Sequence, residues 1–159
     1  MTRFPAVTLV VVALLAAPLA WSQVKAPDTS AMDAMRAAVR ADKRAYVASM
    51  IALDDAQAKK FWPIYDTYQR SLEAANRRRT VALVDVVGQG ETIRDRHARL
   101  VYDELVAADE DELRARRKLR NRLLGTLPAG KAIRYLQLEW QIRAAQDYDL
   151  ATAIPLIRP

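Results

Sequence analysis

The sequence predicts an all-α fold of four helices, two of them long and paired as an antiparallel hairpin. Three observations carry this: four segments repeat apolar residues at three- and four-residue spacing, no segment alternates as a strand would, and only 4 of 159 residues are glycine. Apolar residues make up 52% of the chain but aromatic ones only 7%, so the core is expected to rest mainly on Ala, Leu, Val and Ile. The length suits a single domain. With no Cys and one His, the chain has no disulfide framework, no thiolate nucleophile and no sulfur-bound metal site.

Residues 1–22 are set apart from the rest. Thr2 and Arg3 form a short positive start, an apolar run extends from Ala6 to Ala17, and Pro18 breaks it. Ala20 and Ser22 then stand as small residues before a cut at Gln23, the pattern of a cleaved secretory signal peptide. The run falls short of the roughly 20 apolar residues that cross hydrocarbon. The expected location is therefore the periplasm. The net charge of +6 is hardly changed by losing Arg3, and the acidic partners available there are lipid head groups, acidic proteins and unfolded chains; nucleic acid is not expected as a partner.

Gln23 to Thr29 contains Pro27 and no periodicity, which reads as an N-terminal arm before a single helical domain over 30–159. The first helix is expected to begin near Ser30, capped by its hydroxyl with Asp33 at capping-box spacing. Met32, Met35, Val39, Tyr46 and Met50 share its apolar face, and Arg36, Arg40, Lys43 and Arg44 form a basic stripe beside them. The second runs from Asp55 to Val87, opened by Asp54 with Gln57 three residues on, and carries Phe61, Tyr65, Tyr68, Leu72, Ala75, Arg79, Ala82 and Val86 at three-four spacing. Pro63 is expected to kink it without ending it. Gly88-Gln89-Gly90 marks a turn.

The third helix is expected to start at a Thr92–Asp95 capping box and end on Gly125 in left-handed conformation. Ile93, His97, Leu100, Val101, Leu105, Ala108, Leu119 and Leu123 form its apolar side. The fourth starts at Thr126 and Pro128, with Ile133, Leu136, Trp140 and Ala144 along one side.

Leu53-Asp54-Asp55-Ala56-Gln57-Ala58-Lys59-Lys60-Phe61 aligns with Leu127-Pro128-Ala129-Gly130-Lys131-Ala132-Ile133-Arg134-Tyr135, matching leucine, alanine, a base and an aromatic at equal offsets. Both copies open a helix. Here the sequence resembles the Spy/CpxP group of small periplasmic helical proteins, whose signature is a twice-used Leu-Thr-x-x-Gln helix start. The first copy has Asp54 in place of threonine; the second has Pro128 for threonine and Lys131 for glutamine. The Phe61-Trp62-Pro63-Ile64-Tyr65 segment lies outside that signature, which marks a distant branch. The resemblance implies an all-α hairpin that forms a homodimer and acts as an ATP-independent chaperone or as a modulator of envelope-stress sensing.

The residues offer little to a catalyst, and no enzyme, cofactor or metal is expected. His97 lacks companions to complete a metal site and reads as a core or interface histidine. Asp109, Glu110, Asp111 and Glu112 occupy consecutive helical positions that diverge, so they do not converge on a substrate; Glu110–Arg114 and Glu112–Arg116 have the spacing of exposed ion pairs, as does Glu139–Arg143. The binding surface is expected in three groups: the stripe Arg36, Arg40, Lys43 and Arg44; the rings Phe61, Trp62 and Tyr65; and the cluster Arg114, Arg117, Lys118, Arg120 and Arg122. The expected partners are unfolded envelope proteins, or else one dedicated sensor or envelope component without general chaperone activity. An anionic membrane surface is a further partner for the basic stripe of the first helix.

Overall fold

In the computed structural model, which describes residues 29–88 and 93–156, the chain forms four helices: α1 (Ser30–Ile51), α2 (Asp55–Gly88), α3 (Asp95–Leu124) and α4 (Ala129–Ala153). Among the described residues there is no strand. The proposed leader over 1–22, all of the arm but Thr29, and Gln89 to Thr92 lie outside them.

The start of α2 follows its sequence signal. The Gln57 amide donates to Asp54 Oδ1 at 2.8 Å, and the Gln57 side-chain oxygen faces the Asp54 amide at 3.4 Å. The helix then runs on through Pro63, whose carbonyl accepts the Thr67 hydroxyl at 2.8 Å. The other starts differ from expectation. Thr29, not Ser30, is the N-cap of α1, and neither it nor Arg94 at the start of α3 makes a side-chain cap bond. Asp95 is the first residue of α3 rather than the third, so the expected box with Thr92 is not in register.

Asp42 interrupts α1 in an extended conformation, with φ −160° and ψ 98°, and its carboxylate accepts the Ala45 amide at 2.9 Å. It thus caps the second half of α1 from within. Asp42→Ala should cost about 1 kcal/mol of stability in denaturant unfolding, the usual worth of such a cap, while Asp42→Asn should retain most of it.

Two terminations reverse the sequence reading. Gly125 does end α3, but at φ −89° and ψ −5°, which is not left-handed. The left-handed residue is Ala52, at φ 45°, just after α1. There the last carbonyls of α1, which a helix leaves unpaired, find cationic donors on α4: Arg134 Nε reaches the Met50 carbonyl at 2.6 Å and Lys131 Nζ the Ala52 carbonyl at 2.7 Å. Lys131 Nζ also bonds Gln57 Oε1 at 2.7 Å. The two copies of the weak repeat are therefore in direct contact, and the lysine that replaces glutamine in the second copy is the link.

Backbones approach most closely between α2 and α3, between α1 and α4, and between α3 and α4. The main core takes Met35, Val47 and Ile51 from α1, Phe61, Tyr65 and Tyr68 from α2, Ala115, Leu119 and Leu123 from α3, and Ala132, Tyr135, Leu138, Ile142 and Ala145 from α4. It uses the first half of α2 and the second half of α3. The remaining halves meet through the small buried residues Ala75, Ala82, Val101 and Ala108.

The buried face of α4 is not the expected one. Ile133 and Trp140 are 50% and 68% exposed, and the core side is Ala132, Tyr135, Leu138, Ile142 and Ala145. On α3, Leu100 likewise lies outward at 57% exposure.

Candidate binding surface

The basic stripe of α1 is spent within the molecule. Arg36 pairs with Asp33 at 3.0 Å and Asp149 at 3.1 Å, and lies 5.7 Å over the Tyr148 ring. Lys43 Nζ donates to Gln69 Oε1 at 2.9 Å and to Glu139 Oε2 at 3.1 Å. Arg44 pairs with Asp66 and sits 4.2 Å above the Trp62 ring. Arg40 projects furthest into solvent and lies 3.9 Å from Asp149. This side of α1 fastens helices together instead of presenting free charge.

The rings are also inward. Phe61 and Tyr65 are buried, and Phe61 meets Tyr135 edge-on at 4.9 Å. Half-buried Trp62 packs edge-on against Phe61 and Tyr65 at 4.9 and 5.3 Å, with Arg44 as its outer cover. Aromatic edge contacts and a cation over a ring face are the arrangements that ring quadrupoles favour. Of this cluster, Trp62 alone has an accessible edge.

Two carboxylates are buried beneath these surfaces: Glu139 does not take its expected partner, and Glu112 keeps its expected partner Arg116 but is not exposed. Glu139, expected to pair with Arg143, instead accepts from Lys43, from Gln69 Nε2 at 3.0 Å and from the Tyr135 hydroxyl at 3.2 Å. Glu112, expected in an exposed pair with Arg116, is fully buried. Arg79 reaches it at 3.0 Å, Arg116 at 3.5 Å, and Arg143 from α4 also pairs with it. Glu110–Arg114 is the exposed pair its spacing implied, at 3.5 Å.

Burial, with the Glu139 charge as second cause, raises the ionisation of Tyr65, Tyr68 and Tyr135 well above the ordinary tyrosine value of 10.0. The unfolded phenols ionise near that value while the native ones stay neutral. Their contribution to stability is thus fully present below about pH 10 and is lost as pH rises above it. In an alkaline titration, these three of the six tyrosines should form phenolate only together with the loss of helical circular dichroism.

Charge left unpaired is concentrated on α3. Arg114 is neutralised by Glu110 and Asp111, but Arg117, Lys118, Arg120 and Arg122 are exposed and make no ion pair among the described residues. Apolar surface is left uncovered at the other end of the same helix. There, among the described residues, α2 and α3 frame a groove of about 780 Å³, floored by Ala82 and Val101 and walled by Val81, Val84 and Leu100, which are 70%, 63% and 57% exposed. At its rim His97 Nε2 lies 2.8 Å from Asp85, and Arg78 pairs with Glu104 and Asp111. Of the apolar side that the sequence gives α3, His97, Leu100 and Val101 line this groove, while Leu119 and Leu123 belong to the main core. Val81 and Val84 were not singled out, since they fall off the three-four series that runs through Ala75 and Ala82 to Val86.

Among the described residues no group of His, Asp and Glu could hold a metal ion, and no helix is long and apolar enough to cross a membrane. A smaller cleft of about 230 Å³ between α2 and α4 is lined by Tyr68, Arg79, Glu139 and Arg143; its two arginines are engaged with Glu112, and Glu139 with Lys43, Gln69 and Tyr135. Comparison with protein-family models, with curated proteins and with solved structures found no match.

Proposed function

We infer that this is a periplasmic, ATP-independent chaperone-like protein of the Spy/CpxP kind, which holds unfolded envelope proteins on a basic and apolar helical surface as a homodimer. The observation that carries the reading is the uncovered groove of Val81, Val84 and Leu100 at one end of α3, with unpaired cations at the other end of that helix. An extended, unfolded chain offers apolar side chains to the former and acidic ones to the latter. The cross-helix pairs support the hairpin that the resemblance implies. Their order is reversed along the chain, with Asp85 against His97, Arg78 against Glu104 and Arg79 against Asp109 and Glu112.

Capture is thereby moved off α1 and off the buried rings. Lys118 and Arg122 lie on the flank of α3 that bears Leu100 and supply the long-range attraction, while the groove supplies contact. Val84→Asp and Leu100→Asp should each weaken binding of a permanently unfolded polypeptide at least about tenfold, since one apolar side chain transferred from water counts for about 1.5 kcal/mol or more. Both positions are exposed, so the fold should stand. Unchanged affinity in both variants would remove the groove from the account. Binding should also weaken with added salt, as contacts between exposed charges do.

A further inference from the structure

Arg99, Tyr102, Val106, Leu113, Arg117, Arg120 and Leu124 follow one another along α3 at spacings of three, four and seven residues. At about 100° per residue they fall within roughly 40° of Leu113, on a line about 38 Å long. The apolar members are not covered: Tyr102 is 68% exposed, Val106 40%, Leu113 42% and Leu124 48%. The arginines are exposed as well, and none of the three forms an ion pair among the described residues. Two of the acids beside the line are engaged elsewhere, Asp109 with Arg79 at 2.7 Å and Glu110 with Arg114 at 3.5 Å, while Asp95 stands on the line itself at its N-terminal end, in the first turn of α3. This line is distinct from the groove, because Leu100 lies about 140° around the helix from Leu113.

We propose that this outer line of α3 rests on an anionic phospholipid surface, with Arg99, Arg117 and Arg120 at the phosphates and Tyr102, Val106, Leu113 and Leu124 entering the headgroup boundary. Charge complementarity selects that occupant. Guanidinium forks match phosphate oxygens in pairs, and arginine with tyrosine is the combination that suits a wet interface with an oily floor. A straight helix that alternates such groups along one side meets a flat surface along its whole length, as interfacial amphipathic helices do. The protein held in this way would turn the Leu100 wall of its groove largely away from the membrane, because that residue lies about 140° around the helix from the line. The α1 stripe, which the sequence offered to lipid, is closed by its own carboxylates.

The test is sedimentation of the secreted protein with vesicles of phosphatidylglycerol and phosphatidylcholine against vesicles of phosphatidylcholine alone, at low salt. Wild type should pellet with the anionic vesicles and stay in solution with the neutral ones. Each basic residue at an anionic surface counts for roughly a fivefold change in partitioning, so Arg117→Gln with Arg120→Gln should reduce pelleting by about twenty- to thirtyfold. The charge-matched control, Lys59→Gln with Lys60→Gln at the start of α2, should lose less than about threefold. Leu113→Ser with Leu124→Ser should also release the protein while leaving its net charge unchanged. Circular dichroism confirms that each variant is folded. Equal losses in the α3 and α2 charge variants, binding to both vesicle types alike, or no pelleting with anionic vesicles would each overturn the proposal. Binding of an unfolded polypeptide should be unaltered in the leucine variant, which separates this line from the groove.

Discussion

Replacing Glu112 by alanine should cost about 3–5 kcal/mol of folding stability, the usual penalty for removing one partner of a buried ion pair. Glu112 is fully enclosed, and Arg79 and Arg143, whose side chains are 13% and 24% exposed, converge on it from α2 and α4. Without the carboxylate, two half-buried guanidinium groups face one another with only Asp109 and Asp147 to answer them. Glu112→Gln preserves the shape and removes the charge, so it should fall between alanine and wild type. Urea unfolding followed by circular dichroism measures both. A loss below about 1 kcal/mol for the alanine variant would mean that water enters and resolvates the arginines, and that the three-helix junction is held by apolar contact alone.

Phe61→Ala should be comparably severe, at about 3–5 kcal/mol. The ring is fully buried and touches three others, Trp62, Tyr65 and Tyr135, so its loss opens a cavity among side chains fixed on two helices. Trp62→Ala, at the half-buried edge of the same cluster, should cost clearly less, because water already reaches one side of that ring. Equal losses at 61 and 62 would show that the cluster collapses as a unit and that the indole is as much a part of the core as the phenyl ring.

These two residues also show how far the sequence can be read. Phe61 was visible as part of a three-four series, and the Asp54–Gln57 start was visible because a capping box is complete within four residues. Glu112 was not visible. It is one of four consecutive acids, and what buries it is the register of α2 against α3 and the approach of Arg143 from α4, neither of which leaves a local trace. The α4 face was misread for a related reason: Ile133 and Trp140 make a helical stripe as regular as that of Tyr135, Leu138 and Ile142. Periodicity alone does not say which stripe meets a neighbour. Ala52 carries no glycine to announce its left-handed backbone, which is fixed by the joint between α1 and α2.

The basic residues make the same point for the candidate surface. As a sequence, Arg36, Lys43 and Arg44 on α1 and Arg117, Lys118, Arg120 and Arg122 on α3 are equivalent charge runs. In the structure the first group is consumed by Asp149, Glu139 and Asp66, which lie at least twenty residues away along the chain, and the second is left unpaired. Paired charge fixes the fold, whereas unpaired charge beside uncovered apolar surface is what a partner can use.

The most direct test of the holding activity is the aggregation of two unrelated unfolding proteins, followed by light scattering with this protein present and ATP absent, beside a folded protein of equal size and charge. The account predicts that both clients are protected at near-stoichiometric ratios, that the control protects neither, and that Val84→Asp loses most of the protection while remaining folded. Protection of neither client would contradict it, and would point instead to a single dedicated envelope partner recognised by the same groove.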